Sequence, residues 1–141
     1  MASAISHHAL HKLLAATPFN RYYRFRIQSA ARGSCLLRVA YRREFARPDG
    51  IISGPTFIAA ADVALWLAIA TRLGAHERAV TVEMKTNFLR SATREGFLCR
   101  GRILKLGRLL VYGTAECFTP HRGLLSYHTL TYMRLPGEQI Q

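Results

Sequence analysis

A single acidic residue interrupts a long apolar segment in the middle of this sequence. Asp62 is the one polar side chain between Phe57 and Ala70. A helix that is apolar on every side belongs in a protein core, where an ionised carboxylate is costly unless it is paired. An acid in such a place is a candidate for catalysis. The structural alternative is a carboxylate that pairs with a buried arginine or caps a neighbouring backbone segment.

The residues on either side of the apolar segment mark the ends of a helix. Ser53 or Gly54 can cap it, Pro55 suits its first turn, and Gly74 follows its last turn. These signals predict a helix over about 54–73. Because Gly54-Pro55 and Arg72 bound it, we expect it to be too short to span a membrane.

The rest of the sequence predicts one more helix and six strands. Alternating apolar and polar residues between short turns are typical of antiparallel strands. The chain as a whole, residues 1–141, is predicted to be one α+β domain in which a curved antiparallel sheet wraps around the apolar helix, with a second subunit completing the cover. The predicted elements are an N-terminal helix at about 6–16 and strands Phe25–Ala30, Cys35–Arg43, 80–88, Phe97–Leu106, Leu109–Phe118 and Leu124–Met133.

The composition limits the partners that we expect. Lys and Arg total 20 against 8 acidic residues, a formal net charge of +12, which favours an anionic ligand. The basic residues are scattered and no nucleic-acid motif appears, so we do not expect nucleic acid as the main ligand. We also expect no metal or cofactor, because the three cysteines are far apart and His7 and His11 lack a third ligand. Without a signal peptide, a soluble cytoplasmic protein is predicted.

An ordered set of motifs resembles the hotdog fold, and specifically the PaaI-type acyl-CoA thioesterases. Ser53-Gly54-Pro55 stands where that family has His-Gly-Gly, and Asp62 follows at the family's distance of nine positions. The segment from Thr81 to Ala92 resembles the family's next strand, and Lys105-Leu106-Gly107-Arg108 resembles its Lys-x-Gly-Arg hairpin. The resemblance spans roughly Ala46 to Tyr132. It departs from the family at Ser53, at Pro55 and at Arg47, where an Asn is frequent.

The resemblance implies hydrolysis of an acyl-CoA thioester by a homodimer or a dimer of dimers. Asp62 would be the general base or nucleophile, and the Gly54 N–H would polarise the thioester carbonyl. Ser53 would either assist at the carbonyl or serve only as an N-cap. Thr81 would supply a hydroxyl from the neighbouring subunit, or be only a strand residue. The residues that would bind the CoA moiety, each with a solvated-surface alternative, are Arg47, Phe88, Arg90, Lys105, Gly107 and Arg108.

Other functions on the same fold remain open. A non-catalytic protein that binds acyl-CoA or fatty-acyl groups would fit the loss of the family histidine. A dehydratase or hydratase is less favoured, because such enzymes need a histidine near the helix entrance. A basic nucleic-acid-binding domain is supported by charge alone. Trp66 is predicted to lie in the core, and His121 and His128 on the surface with no acid beside them.

Overall fold

The computed structural model describes residues 2–136, which form three helices, six strands and a short 3-10 turn at Arg43–Phe45. The helices are α1 (His7–Ala16), α2 (Asn20–Tyr23) and α3 (Gly54–Leu73). The strands are β1 (Arg26–Ala31), β2 (Ser34–Val39), β3 (Ala79–Phe88), β4 (Phe97–Leu106), β5 (Leu110–Thr119) and β6 (Gly123–Arg134). Both predicted helices and all six predicted strands are therefore present, with most ends shifted by a residue or two.

The six strands form one antiparallel sheet in the order β1-β2-β4-β5-β6-β3, and α3 packs against it. This arrangement confirms the predicted α+β hotdog fold. The strand β3 follows α3 in sequence but lies at the far edge of the sheet, where it pairs with β6. Among residues 2–136 no strand pairs with its other side, which is a free edge.

The sheet approaches α3 closely because two strands carry glycine opposite it. A Cβ on Gly101 would lie 2.5 Å from the carbonyl carbon of Ala64, and one on Gly113 would lie 2.5 Å from Cδ1 of Leu65. By length and composition α3 could cross a membrane, contrary to the expectation from sequence, but 67% of its apolar window is buried inside the protein. The helix is the centre of the core.

One stripe of α3 is not covered by this chain. Ile58 is 38% exposed, and Asp62 and Trp66, one turn apart along the same face, are half-buried. The predicted core position of Trp66 therefore holds only in part. This open stripe is where the carboxylate lies.

Two details of the sequence prediction are wrong. The strand expected over Cys35–Arg43 ends at Val39, because Val39 pairs with Phe97 and β4 offers no residue beyond it; the chain turns instead through Arg43–Phe45. The single-turn helix α2 was not predicted. It is held partly by Asn20, whose Oδ1 accepts a hydrogen bond of 2.9 Å from the Phe25 N–H.

We predict that Gly101→Ala lowers the free energy of unfolding by about 1–3 kcal/mol, the usual effect of overpacking a core. The added methyl group would press on the backbone of Ala64, which cannot move without bending α3. Urea denaturation measures the change. Ser34→Ala, on the neighbouring strand and without a hydrogen bond from its side chain to a described residue, should have little effect. Equal stability of Gly101→Ala and the wild type would contradict the close packing of β4 on α3.

Candidate active site

The Asp62 carboxylate is held by two hydroxyl groups. Thr81 Oγ1 on β3 donates to Asp62 Oδ1 at 2.6 Å, and the Tyr132 hydroxyl on β6 donates to the same oxygen at 2.7 Å. The Tyr132 hydroxyl also lies 2.8 Å from the Asp62 backbone oxygen. Within residues 2–136 neither an arginine nor a backbone N–H pairs with this carboxylate, so both structural alternatives are absent there. Asp62 Oδ2 has no hydrogen bond from a described residue.

Asp62 lines an open apolar groove with a volume of about 470 Å³. The lining comes from α1 and the segment that follows it, from α3, from the start of β3 and from β6. The two hydroxyl partners of the carboxylate, Thr81 and Tyr132, also line this groove. The apolar lining residues are Leu13, Ala16, Pro18, Phe19, Val63, Trp66, Ala79 and Val80.

Tyr132 is the site residue that the sequence analysis missed. Its side chain is 3% exposed, and burial, followed by the charge of Asp62, raises its pKa far above the ordinary value. The phenol therefore stays protonated and remains a hydrogen-bond donor. A signal was available in the alternation of β6, because Ser126, His128 and Leu130 share the inward face with Tyr132.

The entrance of α3 presents one free backbone donor. Among the described residues no acceptor pairs with the Gly54 N–H, and Pro55 has none to offer. Ser53 occupies the N-cap position but its hydroxyl lies 2.9 Å from Thr56 Oγ1 instead of bonding a backbone N–H. The ring of Phe88 covers the entrance, since a Cβ on Gly54 would be 3.1 Å from its Cζ.

The two groups of predicted catalytic residues lie apart within one chain. Gly54 and Asp62 are eight residues apart on α3, which is about 12 Å along the axis. One carbonyl carbon and its oxygen cannot contact both. The expectation that Thr81 acts from the neighbouring subunit is not met in this structure, because it bonds Asp62 of its own chain.

The predicted CoA-binding residues also divide between the two ends of β3. Phe88 is the last residue of β3 and Arg90 follows it, where the Arg90 side chain donates to the Leu124 carbonyl at 3.2 Å. Lys105 and Arg108 are exposed on the β4–β5 hairpin, at the Asp62 end of the sheet. The turn between them includes Gly107, whose N–H donates to the Leu110 carbonyl. Arg47 is exposed and pairs with Asp49 at 2.7 Å.

A second polar cluster lies inside the protein, around His128. Its Nδ1 is 2.8 Å from Thr86 Oγ1 and its Nε2 is 2.8 Å from Ser126 Oγ, with Cys117 Sγ 3.9 Å away. The residue is fully buried, so its predicted surface position is wrong. Burial raises the pKa of the neighbouring Cys99 thiol well above its usual value. His128 is not among the residues that line the groove.

His121 also differs from its prediction. It is exposed as expected, but its Nε2 lies 3.1 Å from a Glu95 carboxylate oxygen. The three cysteines are buried and free, as predicted. Within residues 2–136, no group of three His, Cys, Asp or Glu side chains is arranged to hold a metal ion.

Solved structures with this architecture include several thioesterases. A protein of Silicibacter sp. TM1040 proposed to be a thioesterase is 29% identical, with 96% of each chain covered and a TM-score of 0.85. A thioesterase family protein of Silicibacter pomeroyi is 27% identical, with 91% of this chain and 96% of that chain covered and a TM-score of 0.82. A Haemophilus influenzae thioesterase shares the fold over 100% of both chains at a TM-score of 0.87, with 17% identity.

Sequence comparison leads to the same group. A protein of Saccharolobus solfataricus proposed to be an esterase is 30% identical over 80 residues, which are 57% of this chain and 56% of that protein. The chain thus spans little more than half the length of this relative. The family model of the thioesterase superfamily matches residues 49–126, more than half of the chain and a segment that includes Gly54, Asp62 and Thr81. The chain belongs to the thioesterase superfamily and has its hotdog fold.

Proposed function

We propose that this protein hydrolyses an acyl-CoA thioester to the free acid and CoA, with Asp62 as its catalytic acid–base group or nucleophile. Membership of the superfamily supports thioester hydrolysis in general. The observation that carries the assignment of Asp62 is its geometry: a carboxylate in the lining of an apolar groove, fixed through Oδ1 and with no hydrogen bond to Oδ2 from residues 2–136. A held carboxylate with one free oxygen can accept a proton or attack a carbonyl.

In the proposed reaction, Asp62 Oδ2 accepts a proton from water while the water oxygen adds to the thioester carbonyl. The carbonyl oxygen becomes an oxyanion, stabilised by the Gly54 N–H and the positive end of the α3 dipole. Collapse of the tetrahedral intermediate breaks the carbon–sulfur bond, and the departing thiolate takes the proton. In the alternative route, Oδ2 attacks the carbonyl directly and the carbon–sulfur bond breaks, which releases the thiolate and leaves an anhydride between the acyl group and Asp62. Water then hydrolyses this anhydride to the free acid and the Asp62 carboxylate, and the thiolate takes up a proton released in this step.

The direct route can place an oxygen atom from water on Asp62, whereas the base-assisted route places it only in the released acid. In a single turnover in water labelled with heavy oxygen, water that opens the anhydride at the Asp62 carbonyl leaves the label on Asp62. Label on Asp62, measured by mass spectrometry of the protein, therefore establishes the direct route; label in the acid alone results from the base-assisted route and also from attack at the acyl carbonyl of the anhydride.

The proposed site needs a second copy of the chain, because Gly54 and Asp62 of one chain are too far apart. The free edge of β3 supports such a pairing. This strand exposes Val80 and Val82, 42% and 50% accessible, and ends at Phe88, which is 55% exposed. A long apolar edge strand tends to pair with another strand.

A two-fold axis through the middle of β3 would bring the separated groups together. Self-pairing of an antiparallel strand over its full length sets Ala79 opposite Phe88 of the second copy. The Phe88 ring covers Gly54, and Thr81 near the other end bonds Asp62. Each site would then combine Asp62 and Thr81 of one subunit with Gly54 and Ser53 of the other. A homodimer, alone or as half of a dimer of dimers, is the proposed working unit.

The same pairing would place cations from both subunits around the CoA phosphates. Lys105 and Arg108 come from the Asp62 end of one sheet, and Arg47 and Arg90 from the helix entrance of the other. The net charge of +12 favours capture of a polyanion from solution. The apolar groove is the proposed acyl subsite, and its lining favours an apolar acyl group. The substrate and a cytoplasmic location are parts of this proposal.

One observation favours a second candidate, an acyl-CoA-binding protein without turnover. Ser53 replaces the histidine of similar proteins and its hydroxyl is 2.9 Å from Thr56, while Pro55 lacks an N–H. The carbonyl oxygen would then have fewer donors. Binding of acyl-CoAs with no thiol release across aliphatic and aromatic substrates would support this candidate over the hydrolase.

We predict that Asp62→Asn lowers kcat on the best acyl-CoA by at least about 100-fold, the scale of losing an acid–base group. Thiol release from an acyl-CoA panel measures the rate. Glu116→Gln is the matched control, because this half-buried carboxylate faces Arg100 across the sheet and is away from the groove. It should retain the wild-type rate. Full activity in Asp62→Asn would exclude the proposed mechanism.

We also predict complementation between two inactive variants. Gly54→Pro removes the N–H at the helix entrance, and Asp62→Asn disables the carboxylate at the other half-site. After the two homodimers exchange subunits, half are heterodimers with one intact site, so about a quarter of the wild-type activity should return. Each variant alone, carried through the same exchange, is the control. If the mixture stays as inactive as its components while mass spectrometry shows heterodimers, the shared site is wrong.

A further inference from the structure

The hydroxyl of Tyr132 contacts the proposed catalytic carboxylate directly but contributes nothing to the chemistry described above. Tyr132 is on β6 and Asp62 on α3, 70 residues apart in sequence. The phenol lies 2.7 Å from Asp62 Oδ1 and 2.8 Å from the Asp62 backbone oxygen. It therefore touches both the side chain and the main chain of the same residue.

The two carboxylate oxygens of Asp62 are in different environments. Oδ1 receives hydrogen bonds from Thr81 at 2.6 Å and from Tyr132 at 2.7 Å, whereas Oδ2 receives none from residues 2–136. Two donors on one oxygen fix the side-chain torsions of the acid. They also occupy the lone pairs of Oδ1, leaving those of Oδ2 for an incoming group.

The phenol is suited to hold the carboxylate rigidly. Its ring is 3% exposed and packs in the core, and it has only two side-chain torsions. Burial and the charge of Asp62 raise the pKa of Tyr132, so the hydroxyl keeps its proton throughout the working range of pH. A donor that stays protonated keeps its hydrogen bond to the ionised carboxylate.

We propose that Tyr132 is a positioning residue that, together with Thr81, holds Asp62 by Oδ1 so that Oδ2 alone reacts with water or with the thioester. This inference rests on the proposed function of Asp62. Tyr132 does not contact the reacting atoms. It acts through the carboxylate, by fixing its direction.

The test is Tyr132→Phe, which removes one oxygen and keeps the ring. We expect kcat to fall by about 10-fold to 100-fold, the usual effect of losing one hydrogen bond to a charged group. The KM for the same acyl-CoA should change little, because the ring of residue 132 and the apolar lining of the groove are kept. Tyr112→Phe, at an exposed tyrosine outside the groove lining, is the matched control and should behave as the wild type.

Wild-type kcat in Tyr132→Phe would overturn the inference, even with Asp62→Asn inactive. A raised KM with an unchanged kcat would also overturn it, because it would indicate a role in the pocket wall. If Asp62→Asn is fully active, the proposed function itself fails, which is a distinct result. If circular dichroism shows that Tyr132→Phe is unfolded, Thr81→Val tests the same hold on Oδ1, with the same two criteria and with partial rescue by Thr81→Ser.

Discussion

The hydrogen bonds that Thr81 and Tyr132 donate to the Asp62 carboxylate are the interaction on which the rest of this structure depends. The helix α3 is apolar on nearly every side, and a charged group on it is unfavourable unless other polar groups stabilise it. Hydroxyls from β3 and β6 do so from one side only. Stabilisation by neutral donors on one oxygen keeps the acid in the protein without consuming its reactivity, as pairing with a buried arginine would.

The position of this acid on α3 links the proposed chemistry to assembly. Asp62 belongs to the one stripe of the helix that this chain leaves uncovered, and the free edge of β3 lies beside the same stripe. A second copy placed there would bury exposed apolar residues and deliver its own helix entrance to the carboxylate. In the proposed dimer, the association that buries the edge strand also completes the site.

The fold was predictable from the sequence because its signals are local. The apolar run and caps of α3, and the alternation in β3 to β6, are each contained in about 10–20 neighbouring residues. The end of β2 at Val39 was not predictable, because it is set by where β4 begins. Of the site, Asp62 and Thr81 were identified by motif, whereas Tyr132 was not. Its contact with Asp62 depends on sheet register and on a helix 70 residues away. The sequence analysis placed His128 on the surface because its ring is polar, although the alternation of β6 puts this residue inside.

Because of the residues at the helix entrance, the proposed reaction depends more on the carboxylate than on the groups that stabilise the oxyanion. Pro55 cannot donate a hydrogen bond, and the Ser53 hydroxyl is next to Thr56, so the Gly54 N–H and the helix dipole are left to stabilise the oxyanion. A single oxyanion donor contributes about 10²–10³ in rate in other hydrolases. Because the oxyanion donors are limited in this way, the rate of the proposed reaction depends on how well the attacking group is aligned with the carbonyl. In the proposed reaction, two hydroxyls on Asp62 Oδ1 supply that alignment, which gives a role to the core tyrosine that reaches across from β6 to α3.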